Sequence, residues 1–393
     1  MDVSVFNGTG QSDYLYGLIS GLNKTPVNKI EILDIDLSSS LFNEFENVQF
    51  HKVFAYQNSK ASYFSRFKNI ISYYYLQLKH LALVKRRVIH FQWLDRFYFF
   101  DRIILPGVAK LFGHKVILTV HNVNARKRDN NDSIYNRFTL SVLYRLCDNL
   151  VVHTHQSKVE LTKDFGVEPQ KISIIKHGMN NKVSNENLSQ QEARKRMGIE
   201  MDRKVVLFFG NIDYYKGLDL LIEGLEKIAT PLAKDITIII AGNSKSSTYI
   251  KDIKAQLDKS SFKNQIITHI QYIQDEDIEK YFMAADCIVL PYRSIYQSGV
   301  IFMAYNFGLP ILATKVGNFE NDIIVGETGF LIDSGEPSSI ASAIESYFKS
   351  PLYLNLSVNR EMIKKWSYDQ FSWDKIGMET YKMYQTQMNG HYN

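Results

Sequence analysis

The chain has 393 residues, of which 45% are hydrophobic and 22% charged, and it holds only two cysteines. That length suits two domains rather than one, and the composition excludes a disordered, collagen-like or disulfide-stapled protein. The net charge of +5 is uneven: residues 1–180 carry a net of +8 and the remaining 213 a net of −3, which points to two domains with different partners.

The N-terminal MDVSVFNGTG has no basic stretch followed by an apolar one, so no secretory signal is expected. No run of about 18 apolar residues follows that would span a membrane. Cys147 and Cys287 are far apart and lack zinc-ligand spacing. A reduced, cytoplasmic protein is therefore expected.

Apolar runs at 3–6, 30–34, 88–92, 116–121, 150–153 and 172–176 predict strands, with helical stretches between them. Gly8 and Gly10 lie on the first strand-to-helix loop. Residues 50–128 then hold 15 Lys/Arg against two acids, Asp95 and Asp101. Within them SYFSRFKNIISYYYLQLKHLALVKRR mixes apolar and aromatic side chains with cations, as an interfacial amphipathic helix does. Ile70, Tyr74, Leu78 and Leu81 could equally face a sheet. The surplus charge favours an anionic membrane surface as partner. His121 ends a strand. His153 and His155 flank another strand end at i, i+2, but no acidic third ligand is close in sequence, so no metal site is expected. His177 precedes Gly178 at the next strand end and is read as a loop residue near the hinge.

A polar stretch at 180–191 reads as a linker. The strand rhythm then repeats at 205–209, 236–241, 266–269, 287–290, 310–313 and 329–332. Continuous apolar runs alternating with helices suit parallel sheets buried on both faces, giving two doubly wound α/β domains. Leu218, Leu221, Ile222, Leu225 and Ile228 recur at helical spacing. Residues 211–217 are then a strand-to-helix loop, whose free N–H groups, with Lys216, suit a diphosphate; a solvated surface lysine is the plainer alternative. Residues 291–311, PYRSIYQSGVIFMAYNFGLPI, follow another strand. Ser298 there suits a helix N-cap, Gly299 allows close approach of a ligand, and Arg293 offers two donors to a phosphate. Two such places at one end of one sheet favour a nucleotide diphosphate pocket over a capped helix beside a surface arginine.

The blocks FFGNIDYYKGLDLLIEGL, ADCIVLPYR and SGVIFMAYNFGLPILATKVGNFENDIIVGETGFLID resemble the C-terminal domain of retaining GT-B glycosyltransferases of family 4, the glycosyl transferases group 1 type. NGTGQSDYLYGL and TVHN resemble the family's first domain more weakly, and WSYDQFSWDKIGMETYKMY is similar to its last helix, which crosses back. The resemblance implies two Rossmann-like domains with a central cleft: an acceptor-binding domain over 1–180, completed by a helix at 366–393, and a nucleotide-sugar-binding domain over 181–365. It implies a donor of UDP or GDP type and no cofactor or metal. Lys216 matches the lysine on the donor diphosphate, with Gly210 beside it. Ser298, Gly299 and Val300 lie where amides hold the distal phosphate, and Glu320 matches a family glutamate. His121 looks like the histidine that faces the donor sugar, while Gly8 and Gly10 would approach acceptor or donor phosphate. The implied reaction is a front-face hexosyl transfer with retention onto a glycan or lipid-linked acceptor, at the inner face of the cell membrane and without nucleic acid. A non-catalytic two-domain protein that binds sugar or nucleotide is the alternative.

The sequence departs from the family at three places. Asn211 stands where an arginine is common, and Ile295 and Met303 stand where two glutamates are common. The second glutamate grips the nucleotide ribose, so its loss leaves the base open and marks a subfamily with a Ser-Gly-Val loop.

Overall fold

The computed structural model describes residues 1–8, 12–35, 41–54, 63–94, 96–124, 126, 132–179, 186–229, 231–333 and 335–390. The chain divides into two compact units, residues 1–178 with 371–393, and residues 179–370.

The first unit runs β1 (Asp2–Phe6), α1 (Ser12–Asn23), β2 (Lys29–Ile35), β3 (Val48–Phe54), α2 (Tyr63–Leu83), β4 (Val88–Phe91), α3 (Leu105–Leu111), β5 (Lys115–Thr119), α4 (Ile134–Leu146), β6 (Asn149–Val152), α5 (His155–Phe165) and β7 (Ile172–Ile174). Its seven strands are parallel, in the order β3-β2-β1-β4-β5-β6-β7. Both faces are covered, which is why the strands read as continuous apolar runs. One core layer joins Phe6, Ile89, Val116 and Leu118 to Leu81 of α2 and Leu140 and Leu143 of α4. The other joins Val3, Val5, Ile30 and Ile32 to Leu15, Leu18 and Leu22 of α1.

Edge strand β3 was not expected from the sequence. The sequence also left two readings open for α2, and both find a place. Tyr74 and Leu81 are buried against the sheet with Ile70 and Leu78 packed beside them. Phe67, Ile71 and Tyr75, four residues apart, are 57%, 54% and 60% exposed on another face.

The second unit runs α6 (Gln190–Met197), β8 (Lys204–Phe209), α7 (Leu218–Leu225), β9 (Ile236–Ala241), α8 (Ser247–Lys259), β10 (Ile266–His269), α9 (Asp275–Ala284), β11 (Cys287–Leu290), α10 (Gly299–Asn306), β12 (Ile311–Thr314), β13 (Gly329–Ile332), α11 (Pro337–Lys349) and α12 (Leu356–Phe371). Six parallel strands follow the order β10-β9-β8-β11-β12-β13. Of the stretch read as a linker, residues 180–185 lie outside the described residues. Its end is helical instead, because Ser189 and Glu192 form a capping box that opens α6. Arg194 Nη2 donates to both oxygens of Asp286 at 2.9 Å and fixes α6 to the sheet.

After α12 the chain turns at Ser372, whose backbone is extended, and α13 (Trp373–Asn389) packs on α1. Trp373 fits because of small neighbours: a Cβ on Gly17 would stand 2.0 Å from its ring, and one on Gly178 2.3 Å. In open parallel sheets, ligands bind at the loops beyond the C-terminal strand ends. Both sheets therefore present such a set of loops.

Candidate functional site

In the second unit the loop after β8 is built around glycine. Gly210 has φ +110°, which other residues adopt only with strain, and a Cβ there would stand 3.3 Å from Val300 and 3.9 Å from Lys216 Nζ. The chain then makes a single 3₁₀ turn, Tyr214–Lys216, before Gly217 opens α7. Leu218, Leu221, Ile222 and Leu225 of α7, with Ile228 beyond it, are buried as their spacing predicts. That packing turns Lys216 inward.

The Lys216 side chain is only 6% exposed. Its Nζ donates to the Tyr292 hydroxyl at 2.7 Å and lies 4.3 Å from the centre of that ring. An ammonium has three hydrogens; the described residues show one of them placed, on Tyr292. The Tyr292 hydroxyl in turn lies 3.3 Å from Ser298 Oγ. Ser298 stands at the N-cap of α10 as expected, but its side chain makes no capping bond; the hydroxyl goes to Tyr292 instead. The first amides of a helix have no partner within it, so those of Gly299 and Val300 stand at a positive helix end. No described atom lies within 4 Å of a Cβ built on Gly299. Packing therefore does not demand glycine there, whereas a ligand close to the backbone would.

The structure thus brings Gly210, Lys216, Ser298 and Val300 together, and adds Tyr292, which the sequence reading did not single out. Arg293 is turned elsewhere. Its guanidinium grips Asp219 in a fork at 2.9 and 2.6 Å, donates to the Tyr214 carbonyl at 2.7 Å, and covers the Tyr214 ring. Burial raises the pKa of Asp219, but the hydrogen bonds from Arg293 and Tyr249 outweigh it and hold the carboxyl below its usual range. In this structure Arg293 braces the loop that carries Lys216. Glu320 is exposed on the one-turn helix Phe319–Asp322; its neighbour Phe319 packs 5.5 Å from the Tyr292 ring. Asn211 is exposed, and Ile295 and Met303 are half-buried. Gln297, between β11 and α10, holds a buried Oε1 without a hydrogen-bond partner among the described residues.

The loops of the first unit are different in kind. His90 lies near the end of β4, and His121, His153 and His177 lie one to three residues beyond β5, β6 and β7. His121 is stacked on Trp93, with ring centres 4.3 Å apart and planes at 5°, and meets the edge of Tyr14 at 4.7 Å. Its Nε2 lies 3.3 Å from Gln92 Oε1, and its Nδ1 lies 3.4 Å from His153 Nε2. Burial, then the neighbouring His153, His177 and His90, push the His121 pKa well below the ordinary value. Burial does the same to His90 and His153, pushed down to about 3, and to His177, down to about 4. All four imidazoles are neutral at pH 7.

Beside His121 lies a cavity of about 200 Å³ lined in part by Gln92, Trp93, Tyr98, Arg102 and Asn124. Gly8, at φ +73°, is glycine for a packing reason: a Cβ would stand 2.3 Å from the Trp93 carbonyl oxygen. Gly10 lies outside the described residues.

Metal binding finds little support here. His153 turns inward while His155 is exposed at the start of α5, so the i, i+2 pair does not converge. Elsewhere among the described residues, Glu31, His51 and His80 bring ligand atoms within 4.8 Å of one another. Glu31 already pairs with Arg87, and with Lys29 at 2.7 Å, and those cations oppose a metal ion. No described helix is long and apolar enough to cross a membrane.

Residues 189–367 match the family model of glycosyl transferases group 1. Among curated relatives, an uncharacterised glycosyltransferase of Methanocaldococcus jannaschii is 27% identical over 250 residues, 62% of this chain and 61% of its own length. A D-inositol 3-phosphate glycosyltransferase of Corynebacterium diphtheriae is 23% identical over 232 residues, 58% of this chain and 54% of its own. The chain thus matches little more than half the length of these relatives. Among solved structures, the sucrose-phosphate synthase of Thermosynechococcus elongatus aligns over 100% of both chains with a TM-score of 0.77 at 16% identity. Anabaena HepE in complex with UDP aligns over 98% of this chain and 100% of its own, with a TM-score of 0.73 at 15% identity. At such identities the likeness is one of fold, and the fold is GT-B. The resemblance to GT-B glycosyltransferases read from the sequence blocks is borne out.

Proposed function

We propose that the chain is a retaining glycosyltransferase that moves a hexosyl group from a nucleotide-diphosphate sugar to an acceptor hydroxyl. The observation that carries the reading is the buried Lys216, its ammonium held on Tyr292 at 2.7 Å within the segment that matches glycosyl transferases group 1. Its charge, with the amides at the start of α10, would stabilise the diphosphate as it leaves. These fixed charges supply what a metal would supply elsewhere, so a metal-independent reaction follows from the proposal. His121 would face the sugar and position it; the acceptor hydroxyl would attack from the face that the phosphate leaves, which preserves the anomeric configuration, and the departing phosphate would take the hydroxyl's proton.

A donor of UDP type is supported by HepE, whose structures hold UDP and UDP-glucose; GDP is the other candidate. The proposed acceptor is a lipid-linked or polysaccharide intermediate of cell-surface glycan synthesis, held by the first unit. Two features support a membrane-surface setting on the cytoplasmic side: the 15 Lys/Arg against two acids in residues 50–128, and the exposed Phe67, Ile71 and Tyr75 of α2. Cations with interleaved apolar side chains bind anionic lipid interfaces.

Calorimetric titration with UDP, GDP, ADP and CMP, followed by NMR of the product from the matching sugar nucleotide, tests the proposal. Binding of one diphosphate and an axial-to-axial or equatorial-to-equatorial product are expected. Inverted product overturns the retaining mechanism, and diphosphate binding without any transfer favours a non-catalytic binder.

A further inference from the structure

The histidines of the first unit form a chain of hydrogen bonds whose direction can be worked out from one fixed end. His153 Nδ1 lies 2.9 Å from the carbonyl oxygen of Ile175. A carbonyl only accepts, so this nitrogen carries the hydrogen. His153 is neutral, so its Nε2 is left as a lone pair. That lone pair faces His121 Nδ1 at 3.4 Å, and the contact is a hydrogen bond only if His121 carries its single hydrogen on Nδ1. The His121 Nε2 is then an acceptor.

We infer that His153 is a positioning residue: anchored by the Ile175 carbonyl, it holds His121 in the Nδ1–H tautomer and so makes the His121 Nε2 a hydrogen-bond acceptor. The rest of the chain closes around that assignment. Gln92 lies between His121 and His90, at 3.3 and 3.2 Å. The two ends of an amide are interchangeable by rotation, so its N–H can face His121 Nε2 and its oxygen His90. His90 Nε2–H also reaches Thr119 Oγ1 at 2.8 Å, and the Tyr384 hydroxyl on α13 donates to His90 Nδ1 at 2.6 Å. The hydrogens on Tyr384, His90, His121 and His153 then each have an acceptor. The opposite tautomer of His121 satisfies Gln92 Oε1 but sets two lone pairs face to face at 3.4 Å in a buried site, where an unmade hydrogen bond is costly.

The consequence rests on the proposed role of His121. Where a sugar hydroxyl displaces the Gln92 amide from His121 Nε2, that nitrogen takes the hydroxyl's hydrogen rather than offering one. Donors with a hydroxyl at the matching position would be held in the productive pose, and those with the hydroxyl replaced by hydrogen or methoxy would turn over about tenfold more slowly. The tautomer itself does not depend on that role.

Long-range proton–nitrogen NMR of protein labelled with ¹⁵N-histidine reads each tautomer directly. The hydrogen is expected on Nδ1 of both His121 and His153; a wild-type His121 with its hydrogen on Nε2 overturns the inference. His153→Leu should move the His121 hydrogen to Nε2 and lower kcat by about tenfold, the worth of one hydrogen bond, with KM for the donor little changed. His153→Gln, which returns an acceptor at the same reach, should restore both the tautomer and most of kcat. If the leucine variant folds and keeps the Nδ1 hydrogen, His153 positions nothing. The spectrum decides this even if the chain transfers no sugar, so failure of the proposed activity and failure of the tautomer lock are told apart.

Discussion

The two units solve one topological problem with opposite chemistry. Both are parallel sheets whose strand order reverses beside the first strand, and both gather candidate site residues at the C-terminal ends of the strands. The second unit collects a cation: one ammonium, lodged under a phenol and beside a helix start. The first unit collects neutral acceptors and rings: four imidazoles at the ends of adjacent strands, packed with Tyr14, Trp93 and Trp373. A diphosphate fits the first kind of surface. An uncharged, hydroxyl-rich sugar fits the second, where flat rings and neutral nitrogens bind without desolvating an ion.

Acid should break the contrast with the largest effect, because several groups act together. The buried histidines have folded pKa values of about 3 to about 4 against about 6.5 in the unfolded chain. The unfolded state therefore binds more protons between those limits. Their contribution to stability is complete above pH 6.5 and is lost as pH falls towards 3. The second unit's lowered carboxyls, Asp219 and Glu226, lose their contribution only below the ordinary carboxylate range. Asp286, which burial raises despite Arg194, works in the opposite direction. At pH 5 amide protection factors should fall in the first unit and hold in the second. A uniform fall would show that the imidazoles are not held neutral.

Lys216→Ala is expected to weaken nucleoside-diphosphate binding by about tenfold to a hundredfold, since a charge-assisted hydrogen bond is worth roughly 1.5–3 kcal/mol. Nucleoside binding should change little. Equal calorimetric affinity of variant and parent for the diphosphate would remove the cation from the site and dissolve the contrast between the units.

Much of this was legible beforehand, and the gaps have identifiable causes. Buried parallel strands are uniformly apolar, so twelve of the thirteen strands could be read from composition alone. The exception, β3, is an edge strand that pairs on one side only; Gln49, His51 and Lys52 interrupt its apolar positions. Lys216 and Ser298 were legible because strand-to-helix loops have local signatures. Tyr292 was not, because its role depends on Lys216 reaching it from a neighbouring strand. Arg293 suggested phosphate since nothing in sequence reveals that Asp219, 74 residues away, holds it. The convergence of His121, His153 and His177 follows from strand order, which no single stretch encodes.

A smaller effect is expected at the basic surface of the first unit. Replacing Phe67, Ile71 and Tyr75 together by serine should lower partition onto vesicles containing anionic lipid by about tenfold or more, because each apolar side chain that enters the interface contributes on the order of 1 kcal/mol. Parent binding should also fall as salt rises. Parent protein that stays in the supernatant at low salt would remove the membrane from the proposal and leave the donor site untouched.

The smallest expected change isolates geometry from charge. Tyr292→Phe keeps the ring under Lys216 and removes only the hydroxyl that joins Nζ, at 2.7 Å, to Ser298, at 3.3 Å. The ammonium keeps its charge and its aromatic bed, so affinity for a diphosphate should drop by only about fivefold, as when about 1 kcal/mol of positioning is lost. Turnover should fall by at least as much, because a lysine no longer held in one rotamer meets the leaving phosphate less often in the productive pose. A loss equal to that of Lys216→Ala would mean that Tyr292 contacts the diphosphate itself. No loss at all would mean that the walls of the loop, Gly210 and Val300, hold the lysine in place without help, and that the ring below it is packing alone.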